Sequence, residues 1–361
     1  MSDDFTVRSS RGDYTVRFTD RFEDDIRAAD RENSFIVIDG KVKGMYAEGL
    51  EEEFLPGRIL PVEADESTKT LEGCARILRS LIKGGIKRDH VLVAVGGGVI
   101  EDVVAFISTV LYRGINWTFY PTTLLAQADS CIGSKSSINF EGYKNLLGSF
   151  YPPSSVVIDT GFLRSLPEDE VRSGIGEILH FYLIGGKEEL ARKMMGEYES
   201  LIAGPVSMKK YILESLKIKK AVIERDELDK GERNLFNYGH TFGHAIESVT
   251  SYGINHGQAV TLGMDMANYL SMKLGYISGS VFNSMRSVLG RNIPDFRPSP
   301  EDIEKFLSAL SRDKKNEGNN LGCILTRGPG AMTKEMLPMD GKLKDLIVSY
   351  FDNSPATGKG S

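Results

Sequence analysis

In the first half of the chain, short apolar runs alternate with stretches whose apolar residues recur at helical spacing. Residues 14–18 and 34–39 read as strands, the second a buried one that ends in a turn at Asp39-Gly40. Residues 67–83 carry a helical pattern. The run 91–95 stops at Gly96-Gly97-Gly98, after which 99–112 resumes helical spacing, and 117–120 is a further strand ended by Pro121. Repeated strand–helix alternation predicts an α/β fold, a parallel sheet covered by helices. After about Pro167 the pattern changes: 168–185, 190–203, 207–223, 237–250, 258–274 and 300–310 read as helices, and convincing strands are nearly absent. The expected organisation is an α/β domain over 1–166, a mainly α-helical domain over 167–352, and a small-polar tail at 353–361 that reads as disordered.

A length of 361 residues suits two domains, and 41% hydrophobic with 26% charged residues is ordinary for a globular protein. The formal net charge of -6 gives no general attraction to nucleic acid or to anionic membranes. An anionic ligand must therefore meet locally placed cations. No apolar run is long enough to span a bilayer and no leader-like segment opens the chain, so neither a membrane nor a nucleic-acid partner is expected. Cys74, Cys131 and Cys323 have no metal-type spacing and read as reduced, packed thiols of a cytoplasmic protein.

Four places carry candidate chemistry. At the glycine turn, Gly97 and Gly98 allow close backbone approach, and the free N–H groups of the following helix favour a pyrophosphate. The spacing is not GxGxxG, and a ligand-free turn is the alternative. Asp39, at the end of its strand, suits ribose hydroxyls and disfavours a 2′-phosphate, which points to NAD over NADP; an ordinary turn acid is the alternative. The polar block from Pro121 to Gly148 holds Lys135 and Lys144, suited to a phosphate, and Asp129, suited to a sugar hydroxyl; the alternative is a solvated loop. Of five histidines, His240, His244 and His256 lie close together in sequence, the first two at i and i+4 on one helix face. They suit a divalent metal or proton transfer, against a bland alternative of buried, hydrogen-bonded imidazoles.

Ordered blocks over roughly residues 39–318 resemble the 3-dehydroquinate synthases within the wider sugar phosphate cyclases. They include Glu-Ser-Thr-Lys at 66–69, Gly-Gly-Gly-Val-Ile-Glu-Asp at 96–102, Arg113-Gly114 and Lys144-Asn145. Later blocks are Gly176-Glu177, Arg-Asn-Leu-Phe-Asn at 233–237, Gly-His-Thr-Phe-Gly-His-Ala-Ile-Glu at 239–247, His256-Gly257 and Asp-Lys-Lys at 313–315. The resemblance implies a Rossmann-like N-terminal NAD-binding domain, a helical metal-binding domain and an active site in the cleft between them. Zinc, with cobalt as a substitute, would be held by Glu177, His240 and His256. NAD would meet Asp39, Glu66, Lys69, Gly97, Gly98, Asp102, Thr122, Thr123 and Lys144. A substrate phosphate would meet Lys135, Asn145, Asn237, His244, Lys314 and Lys315, with Arg113 reaching in from the second subunit of a homodimer. Lys219 and Arg233 would hold a substrate carboxylate, and Asp129, Lys135, His180, Asn237 and His244 complete the implied catalytic set.

The implied reaction uses NAD as a recycled catalyst. A metal-bound alcohol is oxidised, phosphate is eliminated, the ketone is reduced again, and ring opening with an intramolecular aldol step closes a carbocycle. Two positions depart from the family. His180 stands where a substrate-facing lysine is usual, and Glu101 replaces a glycine of the phosphate turn, where its carboxylate is expected to point to solvent. The reading is a carbon–oxygen lyase of the shikimate pathway acting on 3-deoxy-D-arabino-heptulosonate 7-phosphate. The alternatives are a secondary-metabolism cyclase acting on sedoheptulose 7-phosphate or an amino analogue, a metal-dependent polyol or glycerol phosphate dehydrogenase, and a catalytically silent relative.

Overall fold

A computed structural model of the chain describes residues 3–312 and 315–353. The chain divides into two units: residues up to Leu166 together with Pro205–Leu228, and Pro167–Gly204 together with the chain from Asp229 onward.

The first unit is built on a seven-stranded sheet. Its strands are β1 (Phe5–Val7), β2 (Tyr14–Thr19), β3 (Ser34–Asp39), β4 (Ile59–Val62), β5 (Val91–Gly96), β6 (Trp117–Pro121) and, beyond a separate hairpin of β7 (Lys135–Phe140) and β8 (Tyr143–Phe150), β9 (Ser155–Asp159). The order across the sheet is β1-β2-β9-β6-β5-β3-β4, antiparallel only at β1–β2. β3 and β5 are apolar and buried along almost their whole length, as strands covered on both faces must be. From β3 the chain steps to β4 on one side, then returns to β5 on the other. Open α/β sheets bind ligands at such a reversal, outside the carboxyl ends of the strands, here Asp39 and Gly96.

The polar block is not a solvated loop. Ala126–Ser130 forms a π-helical turn, and the residues after it form the β7–β8 hairpin. The period-2 pattern of β7 was hidden because serine occupies an inward position: Ser136 is buried beside Ile138. The helix Lys209–Ile223, expected in the second domain, belongs to the first unit. Its Ser215 hydroxyl donates to the Ala128 carbonyl (2.9 Å) and its Lys219 ammonium to the Asp129 carbonyl (2.7 Å).

In the second unit, helices Glu168–Ile184, His240–Val249 and His256–Lys273 pack together, the last buried over most of its length. Gly176 and Gly257 make one contact possible: a Cβ at Gly176 would run into the Gly257 backbone, and one at Gly257 into Ser173. Backbones therefore touch beside Glu177 and His256, each adjacent to one of these glycines. The expected near-absence of strands is corrected by a hairpin of β10 (Asn320–Thr326) and β11 (Met332–Pro338). After the exposed Asn320, β10 is a short, buried and mainly apolar run, and periodicity alone does not separate such a run from helix. The expected helix 190–203 is two helices, Glu188–Gly196 and Tyr198–Ala203, and helices Gly279–Leu289 and Gly341–Asn353 were not foreseen. Asn353, the first residue of the expected tail, ends a helix; the rest of that tail lies outside the described residues. The three cysteines are free and buried. No described helix is long and apolar enough to cross a membrane.

Candidate active site

The glycine turn joins β5 to the helix Gly98–Val110. Gly97 is the cap residue, and a Cβ there would sit 2.8 Å from Cγ2 of Thr123. A Cβ on Gly98 would meet nothing within 4 Å. The turn is thus packed at Gly97 and open at Gly98, where the first N–H groups of a thirteen-residue helix are free to meet an anion. Thr122 N donates to the Gly96 carbonyl (2.9 Å), fixing the next strand end, and Thr123 Oγ1 accepts from Ala126 N (3.2 Å). Asp39 follows Ile38, which pairs with Val95, so the acid and the glycine turn end neighbouring strands. Its Oδ1 caps the next helix by accepting from Lys41 N (2.8 Å), the role of a turn acid.

A polar network joins the turn helix to the β7–β8 hairpin. Lys69 Nζ lies 2.6 Å from Asp102 Oδ2, and Asp102 Oδ1 accepts from Ser137 N (2.7 Å). Burial pushes the Asp102 carboxyl above its ordinary range against the pull of Lys69. Glu66 accepts from Asn139 Nδ2 (2.6 Å) and faces Lys144 Nζ at 3.9 Å. Asn145, at a left-handed φ of 52°, receives Ser137 Oγ on its Oδ1 (3.0 Å). Glu66, Lys69, Asp102, Lys144 and Asn145 are thereby brought together. Lys135 is exposed at the start of β7, its ammonium 5.9 Å from the Phe150 ring centre. Lys219 pairs with Asp129 Oδ1 at 2.8 Å. Arg113 is exposed and left-handed (φ 64°) past the far end of the turn helix, roughly 20 Å from Gly98 by helix rise, so this chain does not bring it to the set. Glu101 does not point to solvent. It is buried and accepts a short hydrogen bond from Ser130 Oγ, and burial raises its carboxyl to about 8.

In the second unit, Glu177, His240 and His256 offer one ligand atom each, all within 4.8 Å of one another. Glu177 Oε1 is 3.7 Å from His240 Nε2 and 3.3 Å from His256 Nε2. It is buried and finds no donor in hydrogen-bonding geometry among the described residues. A buried, unsatisfied carboxylate oxygen facing two imidazole nitrogens is what a divalent metal would satisfy, and the carboxylate–imidazole set suits zinc or a similar ion. Burial acts to raise the Glu177 carboxyl, but His240, His256 and His180 outweigh it and hold it below its ordinary value. Burial drives His240 well below its ordinary value, opposed by Glu177. His256 is also pulled down by burial, yet Glu177 and Glu247 on its two sides hold it at about 10.

The backing groups orient the set. Nδ1 of His240 is 3.2 Å from the Tyr238 carbonyl, and Nδ1 of His256 is 3.3 Å from Glu247. His244, Glu247 and His256 also lie within metal-ligand reach of one another. Glu247 faces Nδ1 of His256 while Nε2 faces Glu177, the placement of a group that would back a metal-bound imidazole. Glu247 had no role in the sequence reading, although its spacing of i+7 from His240 places it on the histidine face. His180 is 1% exposed, stacks on Tyr238, and has Nδ1 3.5 Å from Glu177 Oε2. Its buried ring lies against the Glu177 carboxylate and within 4.9 Å (ring centre to ring centre) of His240.

Two cavities flank Thr241. One, of about 460 Å³, is lined by His244 with Lys305, Ser308 and Arg312. The other, of about 280 Å³, gathers Asn237 and Lys315 with Asn234 and Lys334. Lys305, Arg312 and Lys334 escaped the sequence reading, since surface lysines and arginines on a helix or strand carry no local signal. Arg233 is buried, and Lys314 lies outside the described residues.

Residues 59–173 match the family model for the 3-dehydroquinate synthase N-terminal region, and residues 174–316 match that for its C-terminal region. The chain is 34% identical over 319 residues to the 3-dehydroquinate synthase of Alkaliphilus metalliredigens, covering 87% of this chain and 89% of that one. It is 38% identical over 299 residues to that of Dictyoglomus thermophilum, covering 82% and 83%. Among solved structures it is similar in fold to 2-deoxy-scyllo-inosose synthase complexed with carbaglucose-6-phosphate, NAD+ and Co2+ (TM-score 0.80, 24% identity, 96% and 99% covered). It is equally similar to 2-epi-5-epi-valiolone synthase from Streptomyces hygroscopicus with NAD+ and Zn2+ bound (TM-score 0.80, 24% identity, 96% and 98% covered).

Proposed function

The chain belongs to the 3-dehydroquinate synthase family of carbon–oxygen lyases, and from that premise we propose that it cyclises 3-deoxy-D-arabino-heptulosonate 7-phosphate to 3-dehydroquinate with loss of phosphate. The observation that carries this reading is the buried, unsatisfied Glu177 oxygen facing His240 and His256. These three side chains would hold a zinc or cobalt ion, which would supply polarisation of a substrate oxygen, and bound NAD would supply a recycled hydride acceptor with no net redox change. The NAD+ and divalent metal of the two solved cyclases support the same pair here.

The chain's own groups have separate tasks. Glu247 holds His256 through Nδ1, so that a metal would take the place of the proton on Nε2. Asp39 receives ribose hydroxyls, the Gly97–Gly98 turn admits the pyrophosphate, and Thr122, Thr123, Glu66, Lys69, Asp102 and Lys144 frame the cofactor. Asn237, His244 and Lys315 donate to the substrate phosphate, with Lys135, Asn145, Lys314 and the Arg113 of a second subunit in a cytoplasmic homodimer. Lys219 and Arg233 hold the carboxylate, and Asp129 holds a hydroxyl beside Lys219. His180 orients Glu177.

A second reading, a cyclase for a carboxylate-free sugar phosphate such as sedoheptulose 7-phosphate, is favoured by His180 alone. The test is phosphate release from each sugar phosphate with NAD and zinc, with products identified by mass spectrometry. Dehydroquinate from the heptulosonate supports the proposal. Turnover of sedoheptulose 7-phosphate alone, unaffected by Arg233→Ala, replaces it with the second reading, and steady NADH release from a simple alcohol sinks both.

A further inference from the structure

The π-helical turn Ala126–Ser130 is gripped from two sides. From the helix Lys209–Ile223, Ser215 and Lys219, one turn apart, donate to the carbonyls of Ala128 and Asp129 (2.9 and 2.7 Å). Lys219 also reaches Asp129 Oδ1 at 2.8 Å. From the helix Gly98–Val110, Glu101 takes the hydroxyl hydrogen of Ser130. A π-turn leaves the backbone without a full set of regular helical bonds, so its shape depends on such outside contacts. Glu101 and Lys219 are both buried, at 6% exposure each.

We infer that Glu101 is a positioning residue: through Ser130 it locks the turn that presents Asp129, and through Asp129 it sets where the Lys219 ammonium stands. This rests on the reading of Lys219 as a substrate-carboxylate group. The groups around the Glu101 carboxyl are Ser130 and Asp129 on the turn, Lys219 on the opposite helix, Asp102 on its own helix and the Cys131 thiol. With Glu101 protonated, the Lys219–Asp129 pair feels no added charge. An ionised Glu101 adds a second anion that interacts with Lys219 beside Asp129 and competes with a substrate carboxylate for the ammonium.

The test compares Glu101→Ala, Glu101→Gln and Ser130→Ala in the NAD- and zinc-loaded protein. Glutamine keeps the acceptor oxygen and cannot ionise; Ser130→Ala removes the partner without touching the turn helix. The first readout, acetylation of Lys219 by acetic anhydride followed by mass spectrometry, needs no substrate. In E101A and S130A it is expected to quicken about 3- to 10-fold, the worth of one hydrogen bond, and in E101Q to change less than about twofold. The second is kinetic: KM rises in E101A and S130A with kcat changed less, and wild-type KM climbs above about pH 8 while that of E101Q does not. Unchanged Lys219 acetylation in both E101A and S130A overturns the inference, as does a lowered melting temperature with KM and acetylation intact. Failure of every sugar phosphate to turn over counts against the proposed reaction, and the acetylation result then decides this inference alone.

Discussion

Glu247 stands 3.3 Å from Nδ1 of His256, while Nε2 of the same ring faces Glu177 Oε1 from 3.3 Å. One carboxylate therefore holds Nδ1, and the other end of the ring points to where a metal would displace its proton. Such backing groups are worth about 10- to 100-fold in metal affinity. Glu247→Gln is expected to weaken zinc binding by that factor in competition with a chelator, and His256→Ala to abolish it. An E247Q protein with wild-type zinc affinity would show that the contact orients nothing.

Gly97 and Gly98 are adjacent yet predict opposite outcomes. An alanine at 97 would push its Cβ against Thr123, 2.8 Å away, and overpacking of this kind costs about 1–3 kcal/mol of stability. An alanine at 98 would meet no protein atom within 4 Å and would replace a poor helix former with a good one. Gly98→Ala is therefore expected to melt at or above the wild-type temperature while losing about tenfold or more in NAD affinity (~1.4 kcal/mol). Melting curves with an NAD titration separate the two. A G98A protein that binds NAD normally would remove the pyrophosphate from this turn.

What was legible in the sequence was chemistry that needs rare residues at short spacing. His240 and His244 share a helix turn, and the glycine turn sits between an apolar run and a helical pattern. Asp39 announced itself by ending a buried strand. Residues whose partners are distant in sequence were illegible by pattern. Glu177 entered only through family resemblance, because nothing local marks a glutamate whose partners start two helices. The helix Lys209–Ile223 joined the first unit through Ser215, which carries no local signal, and Lys219, which entered only through family resemblance. Glu101 was expected at the surface because a carboxylate near a pyrophosphate is unfavourable there; its hydrogen bond to Ser130 provides the inward alternative. The strands 135–140 and 320–326 failed for opposite reasons, one too polar on its inner face and the other apolar on both.

Asp39 combines two roles that one substitution separates. Asn keeps the side-chain acceptor for Lys41 N and hence the helix cap, but removes the charge. Asp39→Asn is expected to retain stability, weaken NAD by about 1 kcal/mol through the ribose hydrogen bonds, and improve NADP relative to NAD. Asp39→Ala loses the cap as well and costs about 0.5–2 kcal/mol of stability. Dissociation constants for both nucleotides, with melts of each variant, test this. An unchanged NAD to NADP preference in D39N would place the ribose elsewhere.

Glu101 predicts how stability depends on pH. Burial raises its carboxyl to about 8 in the folded chain, opposed by the Ser130 hydrogen bond, from an ordinary value of 4.5. The folded state thus favours the protonated form. Its contribution is complete below the unfolded value, shrinks as pH rises from there, and is lost once pH passes the folded value. Glu101→Gln keeps a hydrogen-bonding group at the site and has nothing to titrate. The buried Asp102 carboxyl is present in both proteins and largely cancels in the comparison. The stability of E101Q relative to wild type should therefore increase from about pH 5 to about pH 8 and level off above. Urea unfolding of both proteins at about pH 5, 7 and 9 measures it. A difference that stays constant across this range would mean that the Glu101 carboxyl titrates alike in the folded and unfolded chain, and that burial beside Ser130 does not hold its proton.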